Sequence, residues 1–422
     1  NGSKSIIVGG RENTGSTYYS TVVGGIQNLS LGEKSFIGNG SSNKALHDYS
    51  TILNGSDNIA SGNRSFIANG SSNSATTQSS SVLGGSNNLA SGQVSIVNGG
   101  SYNIASGDYS NVGGYRNIAS GNYSNVNGGG FNRATNSYSS IAGGNNNQAN
   151  GKYAFIGGGN LNTAQTNSSS ILGGQSNITF GNNSSIIGGT QNIASGSESS
   201  IVGGSKNLSS NVCTFIGGGY KNSATTNYST VVGGSKNLAS GSNSFIGGGG
   251  NNIASGSHSF IGGGGSDTYD ILKNEASGLA SSVISGRRNL AGADMTFVGG
   301  GYKNIISGKY SIIVGGHNNT ITGLRSFIGG GRENTAITSY SIIVGGKQNL
   351  ISGNSVSNNT SVSFIGGGKN NIALDGFGGN SSVVVGGKNN FAGGSYYTGS
   401  FVGGGSHNQA SGNYSVITGG KY

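Results

Sequence analysis

The chain has 422 residues, with 86 Gly, no Pro, one Cys, and 22 Lys/Arg against 12 Asp/Glu for a net charge of +10. Collagen needs Gly at every third position and abundant Pro, so it is excluded, and the absence of Pro suits a sheet whose every backbone N–H enters a ladder. The lone Cys213 excludes an intrachain disulfide framework, and no apolar run approaches the ~20 residues of a membrane helix.

From the Ser5–Ile7 strand to the Ser415–Ile417 strand one unit recurs, typified by residues 228–242: Tyr, Ser, a variable residue, Ile or Val, a variable residue, Gly-Gly, two variable residues, Asn, an apolar residue, Ala, Ser, Gly. Its Asn marks a beat of fifteen residues through Asn13, Asn28, Asn43 and onward to Asn103. One coil is a residue short, giving Asn117, and the beat resumes from Asn132 to Asn252. Self-similarity at a short fixed period predicts an all-β parallel β-solenoid, read as a single repeat domain over 1–422. About 27 coils at a strand spacing of ~4.8 Å would reach ~130 Å. Each coil has room for two short strands, with Gly-Gly and Ser-Gly supplying positive φ at the corners. Insertions near 268–276, 351–362, 373–382 and 391–400 lengthen later coils, the first stretching the beat from Asp267 to Asn289. All four read as lying at one corner, after the apolar-Ala step and before the next Ser strand.

Side chains alternate across a strand. Ser and the branched aliphatic share one face of the first strand, as in Ser65 with Ile67, and the two variable positions share the other. Those two trade volume: Phe36 with Gly38, Phe66 with Ala68 and Phe327 with Gly329, but Thr21 with Val23 and Ser170 with Leu172. Close-packed interiors trade volume, so both faces are expected to be covered. An uncovered apolar stripe would exceed what a soluble monomer leaves exposed. The expected cover is a second copy of the chain, with Phe36, Phe66, Phe155, Phe215, Phe245, Phe260, Phe297, Phe327, Phe364 and Phe401 at the interface.

No catalytic constellation stands out, and no cofactor or metal site is expected. His47, His258, His317 and His407 are scattered, and the acids are too dispersed for a paired-carboxylate centre. Calcium-binding nonapeptide rolls need an Asp in each repeat, which is missing here. The only acid cluster with a basic neighbour is Asp267, Asp270, Lys273 and Glu275, in the first insertion. Cys213 replaces a Tyr or polar residue and reads as a spare thiol.

Two surface columns remain. The residue before the beat Asn is basic at Lys206, Lys221, Lys236, Arg288 and Lys303, with Arg116 earlier. This column is a candidate ladder for polyanions such as host matrix or surface glycans, set against a solvated edge whose like charges discourage pairing. Nucleic acid is disfavoured because no stacking aromatics interleave with these cations. A second column places Tyr before the strand Ser, as at Tyr19, Tyr109, Tyr228 and Tyr340, suited to sugar stacking or to a subunit seam.

The unit resembles the heads of trimeric autotransporter adhesins of the YadA-like family, on Ser244 to Gly248 followed by Asn252 to Gly256, and on Ser326 to Gly330 and Ser200 to Gly204. The resemblance implies a left-handed β-roll assembled as a trimer about a common axis. The family's coil is usually a residue shorter, and neither a heptad stalk nor an anchoring barrel is present. The repeat is similar also to viral and phage fibre shafts. The expectation is therefore a non-enzymatic extracellular or cell- or virion-surface fibre that associates with itself, as a trimer or an end-to-end filament. Composition points the same way, being rich in Gly, Ser, Asn and Thr. The chain opens on Asn1 without Met, which reads as a mature or excised segment, and Ser5 is already in strand register with no evident cap at either end. An ice-binding or glycan-binding solenoid is the alternative.

Overall fold

The computed structural model describes residues 4–266, 268–353, 362–376, 381–394 and 399–421. The chain divides into two compact units, Asn1–Lys206 (unit 1) and Asn207–Tyr422 (unit 2). Each is a parallel β-solenoid with a repeat of about fifteen residues, about 26 turns in all. A single turn of 3-10 helix, Asp270–Leu272, is the only helical element among the described residues.

Within each unit, successive turns touch at up to three places. In unit 1, Phe36–Ile37 pairs in parallel with Thr51–Ile52, and in unit 2 Thr230–Val231 pairs with Phe245–Ile246; we call this the serine ladder after the Ser that precedes each strand. The asparagine ladder follows each beat Asn, as in Leu89–Ala90 with Ile104–Ala105. The third contact is a single bridge two residues before each beat Asn, for example Ser41 with Ser56 and Lys347 with Lys369. The two-strand expectation lacked this third column.

Inside, the Ile or Val of one ladder faces the Ala of the other, and Ile37, Ala45, Ile52 and Ala60 are completely buried. A large residue against a small one keeps the coil thin. Burying each Ile is worth ~1.5–3 kcal/mol, so the core is the sum of many small increments along an axis, not one central cluster.

The beat residue is Asn because nothing else offers one acceptor and two donors at that reach. Asn147 Nδ2 donates to the carbonyls of Gly143 and Gly159 at 3.1 and 3.0 Å, and its Oδ1 accepts from the backbone N–H of Asn162 at 3.0 Å. Unit 2 repeats this at Asn319, bonded to Gly315, Gly331 and Asn334 at 3.0–3.1 Å. A buried polar column is thereby satisfied from turn to turn. The serine column is less complete: Ser35 Oγ donates to Gly32 O at 2.7 Å, whereas Ser65, Ser110 and Ser259 Oγ are buried without a partner.

Of the two glycine corners expected to take positive φ, one does and one does not. The second Gly of each Gly-Gly pair does take positive φ, as Gly144 does at 87°. The Gly of Ser-Gly does not; Gly62 is required because a Cβ there would sit 1.9 Å from the carbonyl oxygen of Thr77 on the next turn. The remaining left-handed positions are held by side-chain-bearing residues, one before most strand Ser residues (Tyr123, φ 59°) and one before most beat Asn residues (Lys236, φ 55°). Left-handed backbone costs an L-residue ~1–2 kcal/mol, and its repetition shows that ladder bonding on either side dictates the geometry.

The first insertion also lies elsewhere than expected. Asn274 takes the beat position, its N–H donating to Asn252 Oδ1 at 3.0 Å while its Oδ1 accepts from Asn289 at 3.1 Å. Glu275–Ala276 is an ordinary asparagine-ladder strand paired with Ile253–Ala254. The extra residues therefore sit between Gly265 and Asn274, before that ladder and not after it. The other three insertions do follow the apolar-Ala step, where Leu350–Gly353 pairs with Ile372–Asp375 over four residues. Residues 354–361, 377–380 and 395–398 of those insertions lie outside the described residues, as does Asp267.

Candidate functional site

With the interior so uniform, chemical variety is confined to outward columns, and each column brings residues fifteen apart in sequence to one strand spacing, ~4.8 Å. The ten phenylalanines expected at an interface all occupy the outward first residue of serine-ladder strands. Each keeps part of its ring exposed, Phe155 at 40 % and Phe297 at 36 %. Their glycine partners are closed in by the next turn: a Cβ on Gly38 would lie 2.4 Å from Leu53 O and one on Gly329 2.4 Å from Val344 O, with the ring Cε1 of Phe36 and Phe327 further off at 3.5 and 3.3 Å. The phenyl ring thus lies beside its own strand's glycine, whose closest neighbour is the backbone of the next turn. Where the ring is absent, an aliphatic stands out instead: Leu53, Leu83, Leu172 and Ile187 in unit 1 and Val232, Val314 and Val344 in unit 2 are about half exposed. Ring or aliphatic, each unit carries an apolar stripe along this face.

The corner before the strand Ser carries aromatics and cations. In unit 1, Tyr109, Tyr123, Tyr138 and Tyr153 stack in file, with centroids 4.8, 4.9 and 5.0 Å apart and planes 1–17° from parallel. Earlier in the same file, the Lys34 ammonium and Arg64 guanidinium lie 5.0 and 5.8 Å from the Tyr49 ring centroid. In unit 2, Arg325 lies 5.6 Å from both Tyr310 and Tyr340. Such cation–π contacts at exposed sites are worth ~0.5–1 kcal/mol each.

The corner before the beat Asn differs between the units. In unit 1 its bridge positions run Ser41, Ser56, Ser71, Ser86 and Ser101. The single short coil places Arg116 there among three rings, 5.4, 5.2 and 5.7 Å from the centroids of Tyr102, Tyr115 and Phe131. Lys206 sits at the same left-handed position on the last residue of unit 1.

In unit 2 four of the five expected cations, Lys221, Lys236, Arg288 and Lys303, occupy that left-handed position. The structure adds Lys273, which the insertion had hidden, because it directly precedes the beat residue Asn274. A second file runs beside the first, one residue upstream, through the bridge positions Arg287, Arg332, Lys347, Lys369 and Lys388. It was legible as a basic residue two before the Asn of consecutive turns. Tyr302 and His317 fill the bridge positions between Arg287 and Arg332 and stack at 5.1 Å, and Arg288 Nη1 donates to the Tyr302 hydroxyl at 3.1 Å. Tyr220 fills another bridge position, with the Lys221 ammonium 5.3 Å from its ring centroid, so aromatics do interleave with these cations, contrary to the sequence reading.

Acids temper the files at two places. Lys273 pairs with Glu275 at 3.3 Å and Arg332 with Glu333 at 2.9 Å. The hydrogen bond from Arg332 holds the Glu333 carboxyl below the usual carboxylate range, with Lys347 adding to the effect. Lys347, Lys369 and Lys388 form no ion pair with a carboxylate among the described residues. Like charges ~5 Å apart repel by about 0.8 kcal/mol in bulk water.

Beside the first file the outward aliphatics of the asparagine ladder form a floor. Lys221, Lys236 and Lys273 border a groove of about 500 Å³ floored by Leu238 and Ile253. Lys273, Arg288 and Lys303 border a smaller one, about 200 Å³, with Ile271, Leu290 and Ile305.

The acid cluster of the first insertion offers no constellation among the described residues: Asp267 and the Asp270 side chain lie outside them, and Lys273 and Glu275 pair with each other. No three His, Cys, Asp or Glu gather to hold a metal ion among the described residues. His317 stacks on Tyr302, and His407 bonds Asn389 and Ser406 at 2.8 Å. No helix among the described residues is long and apolar enough to cross a membrane. No protein-family model matches the chain, and no curated protein is similar to it.

Proposed function

We propose that the chain is a non-catalytic structural fibre of the cell or virion surface, built to associate with further copies of itself along the apolar face of its serine ladders. The observation that carries this reading is the stripe of half-exposed Leu, Ile and Val with intervening Phe that recurs along both units, interrupted in unit 1 only at the turns of Asn111, Asn125 and Ser140. Apolar area of that continuity marks an interaction surface on a soluble protein, and an identical repeating face suits a symmetric partner of the same kind. A trimer about a common axis is the arrangement that the adhesin resemblance implies. The exterior location rests on composition.

Ice binding is the weaker reading, since Thr21, Thr51 and Thr230 pair with Phe36 and Phe245 on neighbouring turns and so form no unbroken row.

Light scattering on the purified chain tests the proposal. The expected mass is an integral multiple of 41.8 kDa, falling toward one copy when Leu172, Ile187 and Val232 are changed together to Asp. A monodisperse single copy at all accessible concentrations would sink it.

A further inference from the structure

We infer that the corner before the beat Asn in unit 2 is a binding track for a linear acidic polysaccharide, an amine or guanidinium on most turns meeting its carboxylates or sulfates. The inference stands apart from self-association: it uses a different face, and its test reads ligand binding and not mass.

Three observations carry it. The first is continuity with regular pitch. The left-handed file from Lys221 to Lys303 and the bridge file from Arg287 to Lys388 overlap at Arg287 and Arg288. As one gives out the other takes over, so cations recur along the same corner of unit 2 at multiples of one strand spacing, ~4.8 Å. The 22 residues between Lys347 and Lys369 and the 19 between Lys369 and Lys388 span a single turn each, so the insertions leave the pitch intact.

The second is that edge protection cannot explain these charges. Like charges guard a sheet edge whose N–H groups are unpaired. Here the N–H groups of Lys347, Lys369 and Lys388 donate to Gly368, Gly387 and Gly405 of the next turn at 2.8–2.9 Å. The backbone at this corner is bonded to the next turn, and the equivalent bridge positions of unit 1 from Ser41 to Ser101 manage with Ser. The repulsion along the file is relieved by a bound polyanion.

The third is the floor. The amines of Lys221, Lys236 and Lys273 rim an aliphatic groove over Leu238 and Ile253, and Arg288 and Lys303 rim one over Leu290 and Ile305. A sugar ring presents C–H faces to such a floor while its acid group reaches the rim. Single-stranded nucleic acid instead uses aromatic platforms for its bases, and the run Arg332, Lys347, Lys369, Lys388 contains none.

The test is fluorescence anisotropy of labelled oligogalacturonate with the full chain, with heparin, neutral dextran and oligo-dT as competitors. Polygalacturonate and heparin should compete and dextran should not. Affinity should fall between about 50 and 200 mM salt, as charge neutralisation requires. K347Q/K369Q/K388Q should lower affinity by about tenfold or more and flatten the slope of log K against log salt by about two, at ~0.7–0.9 per neutralised charge. Replacing the same three by Arg should retain binding, and K369Q alone should remove about one third of the slope change. K34Q/R64Q/K152Q, at the other corner in unit 1, should change affinity by less than about twofold. No binding at low salt, an equal loss in the two Gln triples, or oligo-dT outcompeting the glycan would each overturn the inference.

Discussion

Unit 1 and unit 2 share one interior and differ at one corner. Both stack Ile or Val against Ala, both bond Asn to Asn, and both carry an apolar outer stripe. Yet unit 1 has nine Lys/Arg against six acids and unit 2 has thirteen against six. The corner that reads Ser41, Ser56, Ser71, Ser86 and Ser101 in one reads Arg332, Lys347, Lys369 and Lys388 in the other. The difference teaches that the interior specifies the turn and leaves the corners free. Backbone bonding holds a left-handed residue in place whatever its side chain, so Tyr, Lys, Met and Cys all occur there (Tyr123, Lys236, Met295 and Cys213). A scaffold this indifferent to its corners can carry different chemistry along different lengths.

If the interiors are equivalent, damage to either should cost the same. Asn147→Ala in unit 1 and Asn319→Ala in unit 2 each strip donors from two Gly carbonyls and an acceptor from the next Asn N–H. Each unmet buried group costs ~1–3 kcal/mol, so a loss of about 3–5 kcal/mol is expected at either site. Hydrogen exchange should show it confined to the neighbouring turns; unequal losses would break the equivalence.

Within one turn, adjacent glycines should separate by several kcal/mol. Gly144 lies at φ 87°, and a Cβ on it would meet Gly159 O at 2.2 Å, whereas a Cβ on Gly143 meets nothing within 4 Å. Gly144→Ala should therefore destabilise by about 2–4 kcal/mol and Gly143→Ala by less than ~0.5 kcal/mol, read by denaturant titration.

The freedom of the corners predicts a gain. Met295 is half exposed with φ 52°, so Met295→Gly should stabilise unit 2 by up to about 1 kcal/mol through relief of left-handed strain. A loss would mean that the corner side chains do matter to the turn.

The smallest effect concerns pH. The hydrogen bond from Lys309 holds the Asp294 carboxyl below the usual range, helped by the Leu279 N–H. A lowered folded pKa contributes stability above the unfolded value, lost as pH falls through the folded one. The pair is open to solvent, so Asp294→Asn should lower the melting temperature only slightly near neutral pH, and the difference from the parent should vanish on the acid limb.

Much of this was readable in residue order. The beat from Asn13 to Asn252 predicted the ladder, and Ser with Ile predicted the inner face, because a turn that repeats must bury the same positions each time. Phe with Gly was legible as a correlation, but not that the next turn's carbonyl oxygen stands 2.4 Å from where a Cβ on Gly38 or Gly329 would be. Lys221, Lys236, Arg288 and Lys303 were found by counting from Asn. Lys273 was missed because the count ran from Asp267, when Asn274 holds the beat. The Lys347 to Lys388 file was missed because it stands one residue off the column being counted.

What residue order determined by itself was the period, the inside and the outside, since these follow from which side chains avoid water and which can bond their own copies. What only the tertiary structure decided was which outward residues become neighbours. Parallel in-register stacking turns any sequence distance that spans one turn into one strand spacing. Asn371, Asn390 and Asn408, which are 22, 19 and 18 residues beyond their partners, join the ladder as Asn162 does at 15. The hydrogen-bond ladder counts turns and not residues, and that is why a basic track scattered through the sequence of unit 2 runs along one corner of the folded chain.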